Sequence, residues 1–200
     1  MTNADPQLNQ LAQQFSRFER SLERIETLLT DGLTGTLDSV DTSFDKSVFL
    51  SYRRSDSAYI TGRIYDRMAE TLGPGNIFRD VDDILLGRDF TEQLQQQLEV
   101  CDLMLVVIGP TWVSVRDAQT GEPRLDNPND VVRQEVQISL RREIPVIPLL
   151  VRGAEMPREE DLPFRLKPLA DKAATTIRPD PNFHSDVDEL IVRIRQTLNS

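Results

Sequence analysis

The sequence predicts an α/β protein: a flavodoxin-like, open five-stranded parallel sheet with helices on both faces, preceded by an N-terminal coiled-coil helix. Three observations carry this. From about Lys46 onward, short β-rich runs alternate with longer helix-patterned ones, the signature of parallel strands joined by crossover helices. The run DLMLVVI (102–108) is apolar throughout after its aspartate, as expected of a strand covered on both faces. Upstream, Leu8, Leu11, Phe15, Phe18, Leu22, Ile25 and Leu29 recur at alternating steps of three and four, which is a heptad seam.

Taken in chain order, residues 1–30 form the heptad helix. Its narrow seam is flanked by Arg17, Glu19, Arg20, Glu23, Arg24 and Glu26, which fits pairing between helices, with docking of an amphipathic helix onto the globular domain as the alternative. Residues 31–45 (DGLTGTLDSVDTSFD) show neither helical nor strand periodicity and read as a linker. The globular domain spans 46–200. SVFLSY is its first strand. A helix follows over about 57–72, capped by Asp56 or Ser55, with Ile60, Ile64, Met68 and Leu72 on one face and Gly73-Pro74-Gly75 as its stop. NIFRD is the second strand, residues 80–89 a loop, 90–100 a helix and 102–108 the third strand, ended by Gly109-Pro110. A long polar connection leads to a helix with Asn127 as cap and Pro128 in its first turn. IPVIPLLV is the fourth strand, expected to be short or irregular because Pro145 and Pro148 each remove a ladder donor. Residues 173–177 give the last strand, and Val187, Leu190, Ile191, Ile194 and Leu198 the closing helix.

Bulk properties narrow the function classes. Two hundred residues suit one compact domain with a short appendage. A formal charge of -10 disfavours nucleic acid and anionic membranes as partners. The single cysteine, Cys101, cannot form an internal disulfide and reads as structural, in a reducing compartment. The N-terminus lacks a basic region followed by an apolar stretch, and no segment reaches the roughly 18 apolar residues of a membrane span, so a soluble cytoplasmic protein is expected.

In a sheet of this kind ligands bind at the carboxyl ends of the strands, where strand order reverses. Three segments converge there: 51–55, 80–89 and 109–112. Arg53 and Arg54 beside a helix N-terminus suit a diphosphate, or else tether the loop through Asp80, Asp82 or Asp83. Those three aspartates also have hard-cation spacing, but no acidic pair follows the first strand, so no metal is assigned. Phe78, Phe90 and Trp112 suit stacking on a heterocycle or burial in the core. Glu135 lies between a core stripe of Val132, Val136, Ser139 and Leu140 and an outer face of Arg133, Gln134, Gln137 and Arg141. A carboxylate so placed serves a ligand, or is a boundary residue satisfied by a nearby arginine. His184, read as lying in a pre-helical loop, has no nucleophile motif around it, which leaves a hydrolase triad with little support.

VFLSYRRSDS, NIFRDVDDILLGRDF, CDLMLVVIGPTW and DVVRQEVQISLRREIPVIPLLV resemble, in order, the successive boxes of a TIR domain, especially the bacterial kind. The resemblance covers roughly residues 46–200. It implies cleavage of NAD+, as substrate rather than cofactor, between nicotinamide and ribose, with the catalytic glutamate at Glu135. It further implies that Tyr52, Arg53 and Arg54 line the nucleotide site, that Phe90 stacks on a ring, and that residues 80–87 mediate TIR-to-TIR contacts. Phe78, Asp82 and Trp112 complete the set expected around the nucleotide. Some family members carry tryptophan one turn before the glutamate; here that position is Val131. The implied setting is bacterial antiphage signalling or interference with a host, with a homo-oligomer built through the heptad helix and TIR contacts. The rival reading is a TIR adaptor that recruits other TIR proteins without turnover. A phosphate or cyclic-nucleotide sensor trails both, since Gly73 to Gly75 make a weak phosphate cradle.

Overall fold

The computed structural model describes residues 44–79, 98 and 100–199. The heptad helix, nearly all of the linker, the 80–89 loop and, apart from Leu98 and Val100, the segment 90–100 lie outside the described residues. The described strands and helices, in chain order, are β1 (Val48–Tyr52), α1 (Arg54–Leu72), β2 (Ile77–Arg79), β3 (Leu103–Ile108), α2 (Val131–Arg141), β4 (Val146–Val151), β5 (Thr175–Ile177) and α3 (Phe183–Leu198). The strands form one sheet in the order β2-β1-β3-β4-β5, with every pairing parallel. This is the flavodoxin-like order expected, with its reversal between β1 and β3. Among the described residues no helix is long and apolar enough to cross a membrane.

The central strand explains how the two faces are held. All six residues of β3 are buried. Because side chains alternate along a strand, Leu103, Leu105 and Val107 join one core while Met104, Val106 and Ile108 join the other. The first core packs Ile64, Met68 and Leu72 of α1 and Val187, Leu190 and Ile194 of α3 onto Val48 and Leu50. The second packs Val132 and Val136 of α2, Trp112, and Leu166 and Leu169 of a 3-10 segment onto Phe49. Full burial of each such aliphatic side chain contributes roughly 1.5–3 kcal/mol, so β3 accepts a polar residue poorly at any of its positions.

Several boundaries differ from expectation, each for a tertiary reason. Helix α1 begins at Arg54, and neither Ser55 nor Asp56 caps it. Asp56 instead sits in the first turn and accepts hydrogen bonds from the Thr111 backbone N–H (2.9 Å) and Oγ1 (2.7 Å). Helix α2 is capped by Asp130, not Asn127, its carboxylate accepting from the Arg133 N–H at 3.0 Å. Asn127 is used one step earlier, in a turn that receives the Asn129 N–H. β4 is neither short nor irregular: its six residues include Pro148, and it pairs with β3 from Met104↔Val146 to Ile108↔Leu150. β5 reaches only Leu149 to Val151, so Pro148 lies where that flank of β4 has no neighbouring strand and a missing donor does least harm. His184 falls inside α3 rather than before it, packed edge-on against Phe183 with ring centroids 5.3 Å apart.

Candidate functional site

Crossover helices run antiparallel to the strands, so the start of α2 lies at the carboxyl edge of the sheet. Glu135 is one turn into that helix, and its residue is 0% exposed. The boundary position read from the sequence understates this enclosure. Opposite it stands Ser51 near the end of β1. Phe49 and Ser51 project to the α2 face, while Val48, Leu50 and Tyr52 project to the α1 and α3 face. The Ser51 Oγ donates to Glu135 Oε2 at 2.6 Å. Ser51 is itself fully buried, so each partner satisfies a group that would otherwise be stranded in an apolar layer. Ser139, one turn further along α2, is also fully buried.

A second buried contact fixes α2 relative to β1. The Arg53 guanidinium donates twice to the Asp130 carboxylate, Nη1 to Oδ2 at 2.9 Å and Nη2 to Oδ1 at 2.8 Å, with both side chains 1% exposed. Its Nε donates to the Trp112 carbonyl at 3.0 Å. One side chain thereby joins the β1–α1 junction, the loop after β3 and the cap of α2. Arg124 adds a contact to Asp130 from outside at 3.1 Å. The same edge is stitched again at Asp56. A Cβ on Gly109 would lie 2.3 Å from Asp56 Oδ2, so any larger residue where the chain leaves β3 would displace that carboxylate. Beyond β4, Arg152 adopts a left-handed backbone (φ 57°) and its Nη1 donates to the Asp56 carbonyl at 2.7 Å.

The residues expected around a nucleotide are distributed as follows. Glu135 faces Ser51, which sequence reasoning did not single out. Phe78 is the register partner of Phe49, hence on the α2 face of the sheet, and remains 37% exposed. Trp112 is fully buried in the core and offers no open ring face. Arg53 is enclosed and directed at Asp130 rather than outward, and its acidic partner is not one of the three loop aspartates weighed for that role. Tyr52 is partly buried on the face opposite Glu135. Arg54 is exposed at the start of α1. Asp82 and Phe90 lie outside the described residues. A separate open groove of about 730 Å³ runs between Gln137, Leu140 and Arg141 of α2 and Phe164, Lys167 and Pro168; Glu135 does not line it.

Parallel strands in the order 2-1-3-4-5, with an enclosed acid at the carboxyl rim, define a flavodoxin-like domain with its candidate chemistry at the strand-order reversal. The chain belongs to the TIR domain family, whose description it matches over residues 48–191. No curated protein matches it. Among solved structures, it is similar to the TIR domains of the activated Roq1 resistosome that directly recognizes the pathogen effector XopQ, at 14% identity and a TM-score of 0.49, covering 77% of this chain and 99% of that one. It is similar to a prokaryotic SEFIR domain at 17% identity and a TM-score of 0.47, covering 74% of this chain and 97% of that one. It is also similar to a metazoan TIR-STING receptor from C. gigas in complex with 2',3'-cGAMP, at 15% identity and a TM-score of 0.45; the match covers 78% of this chain but 42% of the receptor chain.

Proposed function

We propose that this chain is an NAD+ nucleosidase in which Glu135 is the catalytic carboxylate. The observation that carries the proposal is the complete enclosure of Glu135 at the carboxyl rim, beside a hydroxyl donor on β1. A domain acting only as a scaffold gains no contact surface from an acid placed there, and holding a carboxylate out of water costs several kcal/mol. Buried acids of this kind concentrate at reacting sites.

The chemistry suits one carboxylate. The C–N bond between ribose and nicotinamide breaks with its electron pair going to the ring nitrogen, so nicotinamide leaves as a neutral pyridine and needs no strong acid. Positive charge develops on the ribose as an oxocarbenium ion, which the Glu135 anion stabilises. Water attack at that carbon, with loss of a proton to solvent, gives ADP-ribose. Attack by the substrate's own adenine or a ribose hydroxyl gives a cyclic product. Arg54 serves the diphosphate, and Phe78 and Phe90 serve as stacking surfaces. Because Glu135 is enclosed at rest, turnover requires a movement that uncovers it. Pairing through residues 1–30 raises the local concentration of TIR domains toward the millimolar range and favours the assembled, active arrangement.

Nicotinamide release from NAD+ by the purified full chain tests this. Glu135→Gln is expected to lower the rate by roughly 10²–10⁴-fold, and removal of residues 1–30 to lower it mainly at low protein concentration. Equal release by the parent and Glu135→Gln would remove the glutamate from the mechanism. No release at any protein concentration would leave the adaptor reading in its place.

A further inference from the structure

We propose that Ser51 is a positioning residue for Glu135: its hydroxyl fixes the plane in which the carboxylate meets the reacting ribose. The inference rests on the nucleosidase reading and names a residue that reading does not require.

The argument begins with the strand. β1 is almost wholly apolar, VFLSY, and its α2-facing positions are Phe49 and Ser51. Ser51 pairs in register with Val106 of β3, whose own neighbours on that face are Met104 and Ile108. A small hydrophobe would fill the position without any polar group to satisfy. A hydroxyl placed there must find a partner, and the partner is Glu135 Oε2, 84 residues away in sequence and 2.6 Å away in space. The hydroxyl donates to that oxygen, which gives the serine a fixed direction.

The support behind the contact is rigid. Serine has a single side-chain torsion, it stands where β1 pairs with β3, and its residue is 0% exposed. The helix carrying Glu135 is pinned to the same strand end by the buried Arg53–Asp130 pair. Donor and acceptor are therefore each held by elements rather than loops, the condition under which a hydrogen bond sets orientation instead of following it. The contact limits rotation of the carboxylate group, so its removal affects the chemical step more than substrate binding.

The test compares the parent chain, Ser51→Ala, Ser51→Cys and Glu135→Gln, each first checked for thermal unfolding. Ser51→Ala is expected to lower kcat about tenfold with KM changed less than about threefold. Ser51→Cys keeps the volume but supplies only a weak donor, so it shows the same defect; it carries the test if the alanine variant does not fold. An unchanged kcat in Ser51→Ala, or a loss carried by KM instead, would overturn the role of Ser51, while a Glu135→Gln that releases no nicotinamide in the same series would leave the nucleosidase reading standing. A parent that releases no nicotinamide would sink the enzymatic reading itself.

Discussion

Replacing Asp130 with alanine tests how the carboxyl edge is held together. The substitution does two things at once. It removes the cap that accepts the Arg133 N–H, a loss of about 1 kcal/mol. It also strands the Arg53 guanidinium, whose side chain is 1% exposed and whose forked hydrogen bonds at 2.9 and 2.8 Å both go to Asp130. Breaking a buried pair by deleting one partner costs about 3–5 kcal/mol. The two losses overlap because they share one side chain, so a destabilisation of about 4 kcal/mol is expected, out of the roughly 5–15 kcal/mol available to a domain. For a unit of this size that corresponds to a fall in Tm of about 8–16 °C. The double variant Arg53→Met/Asp130→Asn removes both charges, keeps a capping side chain and roughly preserves volume, and is expected to lose much less, about 1–2 kcal/mol. Urea unfolding of the three proteins at neutral pH provides the measurement. If Asp130→Ala loses no more than an ordinary exposed cap, or if the double variant is as unstable as the single, the pair is not the brace described and the position of α2 must be set elsewhere.

Two further outcomes bear on the same edge and on the docking of α3. Gly109→Ala places a Cβ 2.3 Å from Asp56 Oδ2, which forces the carboxylate off Thr111, and an expected loss of about 1–3 kcal/mol is checked by urea midpoint; a change under about 0.5 kcal/mol would mean the loop yields freely. The Asp186 carboxyl is held below the usual carboxylate range, first by the Arg178 side chain, whose Nη2 and Nε donate at 2.6 and 2.9 Å, and also by the Arg178 backbone N–H at 2.8 Å. A depressed carboxyl stabilises the fold above its unfolded value near pH 4 and ceases to do so as pH falls through the lower folded value. The stability gap between the parent and Asp186→Asn should therefore be full at pH 6 and narrow below about pH 4. A gap of equal size at pH 3 and pH 7 would contradict it.

What the sequence revealed follows from the range over which each feature is decided. β3 and α3 were legible because a run of Leu, Met, Val and Ile, or a stripe of Val187, Leu190, Ile191 and Ile194, reports burial through local periodicity alone. The start of α2 was not. Asn127, Asn129 and Asp130 are all competent caps, and the choice falls on Asp130, which Arg53 also grips from 77 residues away. The start of α1 was misplaced for a related reason, since Asp56 is occupied by Thr111 of the loop after β3. β4 looked weak because proline disfavours strands in general, while the harm depends on whether a neighbouring strand reaches that residue, which no local pattern encodes. Glu135 could be singled out as an acid among apolar neighbours, but its full enclosure and its partner were hidden. One signal for Ser51 was present: it is the lone polar residue in VFLSY that shares a face with Phe49. For Arg53 the residue type was informative and its direction was not, because a guanidinium beside a helix start matches a ligand phosphate and the next helix's cap equally well.

The alternation along β3 has a further consequence. The two hydrophobic compartments are separated by a single thickness of main chain, so a rearrangement in one reaches the other chiefly through the ladder of amide bonds. A change in packing beneath α2 therefore need not disturb the packing beneath α1 and α3. Substitutions can also accumulate on either side without requiring compensation across the sheet.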